Sequence, residues 1–141
     1  MATEDYIDAL RWAESVGGLA ALHARANANT KVLADWAART DWVNFLAVDP
    51  ANRSNTSVCL KVVDPRVTRL SEDAQAEFAK KLAALLEKEG AALDTGSYRA
   101  APPGLRIWCG ATVDAADVEA LTPWLDWAFA TCVDEIADKA A

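Results

Sequence analysis

The sequence predicts an α/β domain of the α+β kind. A small antiparallel or mixed sheet carries helices on one face, in the order α-α-β-α-β-β-α. Three observations predict this. Apolar residues recur at helical spacing in the first quarter, the middle and the last quarter of the chain. A β-rich run, Val58-Cys59-Leu60-Lys61-Val62-Val63, ends at Asp64-Pro65. A second alternating run, 105–111, follows a Pro102-Pro103-Gly104 turn.

Taken in order, Thr3 followed by Glu4 and Asp5 reads as a hydroxyl cap with acids at the positive end of a helix dipole. Tyr6, Ile7, Leu10 and Ala13 or Glu14 continue at helical spacing, and Gly17-Gly18 ends or bends the helix. Leu19, Leu22, Ala26, Leu33, Trp36 and Ala37 predict a second, long helix to about Arg39, weakest at Asn27 and Asn29. Residues 48–55 read as turn and loop, and 58–63 as a strand.

Ser71, with Glu72 and Asp73 behind it, caps a helix whose face is Phe78, Leu82, Leu85 and Leu86. Gly90 closes that helix after Lys88. A short strand is expected around 92–98. In the next strand, 105–111, Leu105, Ile107 and Cys109 share one face, and Arg106 and Trp108 the other. Asp114 opens a helical turn, and Thr122-Pro123 reads as a fresh cap with proline in the first position. Leu125, Ala128, Phe129, Cys132 and Ile136 then line one face to the end.

The 141 residues suffice for one domain with its own core, and no repeat or linker divides them. Acids outnumber basic residues 21 to 14, a formal net charge of −7. That balance disfavours nucleic acid and anionic membrane surfaces as partners. No apolar run approaches the ~18 residues of a membrane-spanning helix. Ala2 to Asp5 do not resemble a secretory leader. Cys59, Cys109 and Cys132 are odd in number and embedded in apolar segments. They read as reduced, buried thiols of a cytoplasmic protein. The six tryptophans either fill a large core or mark a contact surface.

Few residues qualify for chemistry. His23, the single histidine, has no ligand-spaced partner and reads as structural or surface. Asp114, Asp117 and Glu119 sit where a helix start stabilises acids, and Lys80-Lys81 reads as a solvated helix face. Arg99 and Arg106 lie seven residues apart on either side of the Pro-Pro-Gly turn. Guanidinium forks match carboxylate and phosphate oxygens, and a sharp turn can bring two to one anion. Spacing alone fits either a solvated strand surface or such a site.

The segment Gly96-Ser97-Tyr98-Arg99-Ala100-Ala101-Pro102-Pro103-Gly104-Leu105-Arg106 resembles the substrate-anion segment in the small C-terminal domain of the phosphoserine aminotransferase family. Three other stretches resemble that domain in the same order. Thr3-Glu4-Asp5-Tyr6 through Gly17-Gly18-Leu19 is similar to the helix and glycine step connecting the large domain to the small one. Arg53-Ser54-Asn55-Thr56-Ser57-Val58-Cys59-Leu60 is similar to the segment leading into its first strand, and Asp117-Val118-Glu119-Ala120-Leu121 through Phe129 to its closing helix. Tyr98 stands where other branches have a histidine, so no histidine contact carries over.

The resemblance implies that 1–18 is a connecting helix and 19–141 the small domain of a pyridoxal-phosphate transaminase of serine biosynthesis. Arg106 would hold the substrate α-carboxylate. Arg99 would reach the distal phosphate or γ-carboxylate, in its own or a neighbouring subunit's site. Arg53 would serve either substrate or its own loop. The Schiff-base lysine and the cofactor's phosphate cup belong to the large domain, so this chain alone is expected to bind no pyridoxal phosphate and to be inactive. The missing large domain is the expected partner, with self-association through the surface it would cover. The competing reading is a free-standing, non-catalytic module that binds a small acid or a protein.

Overall fold

A computed structural model describes residues 2–98 and 100–140, with side chains described through Glu135. Helix α1 (Ala2–Ser15) is followed by α2 (Gly18–Ala38), strand β1 (Val43–Phe45), a 3-10 turn (Pro50–Asn52) and strand β2 (Ser57–Val62). Then come a single-turn helix α3 (Pro65–Thr68), α4 (Glu72–Lys88), strand β3 (Leu105–Trp108) and the closing helix α5 (Ala115–Ala140).

The predicted class holds: a small antiparallel sheet of three strands, ordered β1-β2-β3, is covered by helices. Val58 faces Ile107 and Leu60 faces Leu105 in the β2–β3 ladder, while Val43 faces Val62 and Phe45 faces Leu60 in β1–β2. Directly opposed residues share a face, so one side of the sheet is apolar. It joins Leu33 and Trp36 of α2, Phe78, Leu82 and Leu86 of α4, and Leu125, Phe129 and Cys132 of α5 in one core. Asn44, Cys59, Lys61, Arg106 and Trp108 lie on the opposite, uncovered side.

The elements differ from the expected ones at several points: a single-turn helix α3 precedes α4, and the strand expected at 105–111 ends at Trp108. The third strand is β1, three residues too short to announce itself by alternation, and not 92–98. Residues 92–98 contribute one isolated bridge, Gly96 to Leu105, because Asp94 takes φ +52° and ends the extended run there. Thr122-Pro123 opens no new helix, since α5 runs through it. Proline removes one N–H from the helical ladder, and the Thr122 hydroxyl compensates by donating to the Glu119 carbonyl at 2.9 Å. Finally, α1 begins at Ala2, so Thr3 lies inside its first turn instead of capping it.

The other punctuation is as the sequence predicts. Ser71 Oγ accepts from the Ala74 N–H at 3.3 Å. Gly90 takes φ +69° just past α4, and the Ala91 N–H returns to the Leu86 carbonyl at 2.9 Å. The tryptophans divide between the two readings. Trp42 stacks on Phe129 with centroids 4.3 Å apart and meets Trp36 edge-on at 5.6 Å. Both indole N–H groups donate to one carboxylate, Asp126, at 3.1 Å from Trp36 and 2.8 Å from Trp42. Trp12, Trp108, Trp124 and Trp127 are exposed. Helix α1 buries no residue and rests on α2, leaving Tyr6, Leu10 and Trp12 exposed. Among the described residues, no helix is long and apolar enough to cross a membrane.

Candidate functional site

Arg106 is placed by the two-residue period of β3. Leu105 and Ile107 are buried in the core, so Arg106 must project to the uncovered side, next to Cys59 on β2. The start of the strand is set by Gly104, which packs against the backbone of β2. A Cβ there would meet Leu60 O at 2.1 Å, a position only glycine can occupy.

The far end is set from α2. Asn29, fully buried on the Ala26, Leu33 and Trp36 stripe, donates through Nδ2 to the carbonyls of Cys109 (3.1 Å), Gly110 (3.1 Å) and Val113 (3.0 Å). One turn earlier, Arg25 Nε donates to Ala111 O at 2.8 Å, and its Nη2 pairs with Asp114 at the start of α5. The position expected to weaken α2 is thus a staple that holds the chain leaving β3. No local pattern reveals it, because its acceptors lie 80 residues away.

The Arg106 side chain is only 13% exposed. Its guanidinium lies over the Tyr98 ring, 4.6 Å from the centroid, and Nη2 donates to Asp94 Oδ2 at 2.6 Å and Asp94 O at 3.3 Å. Nε is buried and has no acceptor among the described residues. The Arg106 N–H donates to the Thr95 carbonyl at 2.8 Å, and the buried Thr95 hydroxyl also lacks a partner among the described residues. The crevice that reaches Arg106, between Tyr98, Cys59 and Leu46, holds about 20 Å³, room for about one water. Beyond Tyr98, a hollow of about 350 Å³ opens between Gly96, Pro103 and the start of α4 with Glu72 and Asp73.

Chemically, this is a desolvated cation presented on a sheet face, a setting that favours a carboxylate or phosphate partner. The second predicted arginine, Arg99, lies outside the described residues. Arg53 turns to its own loop. Its Nε donates to Ala47 O at 3.1 Å, its Nη2 to Val48 O at 3.2 Å, and its guanidinium covers Phe45 at 4.1 Å. It lines a separate hollow of about 290 Å³ that also contains Cys59. His23 is exposed on α2, and among the described residues no three groups of metal-binding type converge.

The expectation of three buried thiols is corrected at Cys59. It is exposed, because the period that buries Val58 and Leu60 turns it to the uncovered face. Cys109 and Cys132 are buried. Burial pushes the Cys109 thiol up to about 11, and burial raises Cys132 as well.

Lys31, Lys80 and Lys81 do not fit the role of a cofactor-binding lysine. A pyridoxal-phosphate site needs a lysine beside a cradle for phosphate. Lys80 and Lys81 line hollows, but each hollow also contains two acids, Glu72 and Asp73 for the first, Glu77 and Glu135 for the second. Lys80 is paired with Glu77 and Lys81 with Glu135, and Lys31 is paired with Asp35 on an exposed face of α2.

Comparison with known proteins gives a consistent result. No family model matches the chain. Phosphoserine aminotransferase of Methanosarcina mazei is 46% identical over 129 residues, 92% of this chain and 32% of that protein. The Methanosarcina barkeri enzyme of the same name is 47% identical over the same shares. A third, from Nocardioides, is 34% identical over 84% of the chain. The solved phosphoserine aminotransferase from Bacillus circulans subsp. alkalophilus superposes with a TM-score of 0.68 at 19% identity. It covers 86% of this chain and 30% of that one, and shows the same fold. The chain therefore spans about a third of the length of the curated relatives it matches.

Proposed function

This chain belongs with the phosphoserine aminotransferases as a relative of about a third of their length, and on that premise we propose that it is the C-terminal substrate-binding domain of such an enzyme. The full reaction passes the amino group of glutamate to 3-phosphohydroxypyruvate, giving 2-oxoglutarate and phosphoserine. In this reading α1 and the Gly17-Gly18 step form the connecting helix, and 19–141 the small domain. The large domain packs on the uncovered sheet face and on Tyr6, Leu10 and Trp12. It brings pyridoxal phosphate, the Schiff-base lysine and the phosphate cup. The setting is cytoplasmic. A chain held apart from its large domain associates with itself through the α1 face.

The observation that carries the assignment is Arg106. It stands on the face open to a second domain, desolvated, with its guanidinium already turned to a carboxylate at 2.6 Å. Both amino donor and acceptor carry an α-carboxylate, so one fixed guanidinium serves both halves of the exchange. Arg99, three residues before the Pro-Pro-Gly turn, takes the distal phosphate or γ-carboxylate.

The test joins this chain to the large domain of the Methanosarcina mazei relative and compares Arg106→Ala with the unaltered fusion. Loss of a charge-assisted contact, about 1.5–3 kcal/mol, lowers kcat/KM about 10- to 150-fold for glutamate and for 3-phosphohydroxypyruvate alike. The chain alone, mixed with pyridoxal phosphate, develops no imine absorbance and no transamination. Unchanged kinetics with a lowered melting temperature make Arg106 structural. Catalysis by the chain alone rejects the division of labour.

A further inference from the structure

The Arg106 fork is half filled. Asp94 offers one carboxylate oxygen to Nη2, at 2.6 Å, while Nε, on the same edge of the guanidinium, is buried with no acceptor among the described residues. The Thr95 hydroxyl, on a residue 5% exposed, is a second buried donor without a described partner. It belongs to the residue whose carbonyl receives the Arg106 N–H. The two unmet donors belong to residues joined by one backbone hydrogen bond, and a buried donor calls for an acceptor.

Asp94 is a poor permanent partner. Its side chain is 85% exposed, so water competes for it throughout. Its backbone lies at φ +52°, in the left-handed region that aspartate tolerates better than most residues. It nevertheless holds Nη2, the prong that a bidentate ligand would need together with Nε.

We propose that Asp94 is a resident stand-in for the ligand carboxylate. It satisfies one prong of Arg106 while the site is empty and swings into water when a ligand carboxylate takes Nε and Nη2 together, with the Thr95 hydroxyl as an additional donor. This rests on the reading of Arg106 as a carboxylate site. The device keeps a desolvated guanidinium from standing uncompensated between turnovers. It also sets a threshold, because an incoming group must outcompete a tethered carboxylate, which a bidentate one does and a monodentate anion does not. No covalent step is involved.

The experiment titrates the isotopically labelled chain with 2-oxoglutarate and follows the Arg106 Nε–H resonance. Asp94→Asn removes the competing charge and keeps a residue that accepts positive φ, and Asp94→Gly is the second variant should the first fold poorly. Asp73→Asn is the control, an acid lining the hollow beyond Tyr98 that makes no ion pair with Arg106. The expected result is a shift of the Nε–H signal in the unaltered chain. Binding should be about three- to tenfold tighter in the Asp94 variants, the scale of freeing a site occupied by an exposed ion pair. Asp73→Asn should change affinity less than twofold. Equal affinity in the Asp94 variants, or equal tightening in the Asp73 control, overturns the stand-in while the carboxylate reading of Arg106 survives. An Nε–H signal unmoved in every variant overturns both.

Discussion

Asn29, in the middle of α2, donates its side-chain amide to the carbonyl of Cys109, the residue that follows β3, at 3.1 Å. Helix and strand are thereby tied by a buried polar contact, and the same amide reaches Gly110 and Val113. Arg106 stands three residues before this tie. The strand that presents the candidate site is held at one end by Gly104 against β2 and at the other by Asn29. Its side chain orientation thus depends on two residues that touch no ligand.

Asn29→Ala is expected to lower stability by about 1–3 kcal/mol, because it leaves the Cys109 carbonyl without its donor, while Gly110 O keeps the Val113 N–H and Val113 O keeps Arg25. Asn29→Asp should be worse, since a carboxylate faces three carbonyl oxygens and donates nothing. Urea denaturation of the three chains measures the order. A harmless Asn29→Asp would mean that the tie does not form.

Gly104→Ala is expected to cost about 3 kcal/mol, the upper end of what overpacking costs. The added methyl would sit 2.1 Å from Leu60 O, and that obstacle is backbone, which cannot turn aside as a side chain can. The strands should separate locally, and amide exchange should quicken in β2 and β3 more than in α4. Uniform exchange changes would contradict this.

Thr95→Val is expected to leave thermal stability unchanged or to raise it. The hydroxyl is buried without a described partner, so its desolvation is uncompensated, and valine keeps the shape. A melting temperature lowered by several degrees would show that the hydroxyl is already bonded.

The thiols give a prediction with a sign in pH. Cys109 has its pKa raised from 9.0 to about 11 by burial, so the folded state favours the neutral thiol. This stabilisation is fully present below pH 9 and is lost as pH rises from 9 toward 11, where unfolding lets the thiolate form. Denaturation midpoints should fall in that window, and less so in Cys109→Ala, compared with its own midpoint at pH 7. At neutral pH, a thiol reagent should modify exposed Cys59 first, with Cys109 and Cys132 reacting only on opening. Equal rates at all three would contradict the burial.

Much of the domain was legible along the chain. Helical periods located α2 and α4 to within a residue or two, Ser71 and Gly90 marked the ends of α4, and alternation placed β2 and β3 with Arg106 on the side away from Ile107. These features are legible because helices and strands repeat within a few residues, and burial imprints that repeat on composition. A three-residue strand such as β1 has too few repeats to show. The strand expected at 92–98 fails at a single dihedral, that of Asp94, which no side-chain pattern records.

The remaining decisions belong to the tertiary structure. Asp126 gathers the indoles of Trp36 and Trp42 across 90 and 84 residues, Asn29 finds its carbonyls across 80, and Asp94 meets Arg106 across 12. Asn29 reads locally as a weak point of a helix, and nothing in the residues flanking Asp94 or Asp126 marks their partners. A polar residue's partner depends on which segments the fold brings together, and hydrogen bonds, being short and directional, are settled only once the apolar faces have packed. The sequence by itself determined which faces pack and that Arg106 would stand apart from them. Only the packed chain decided what holds that arginine and which carboxylate it meets.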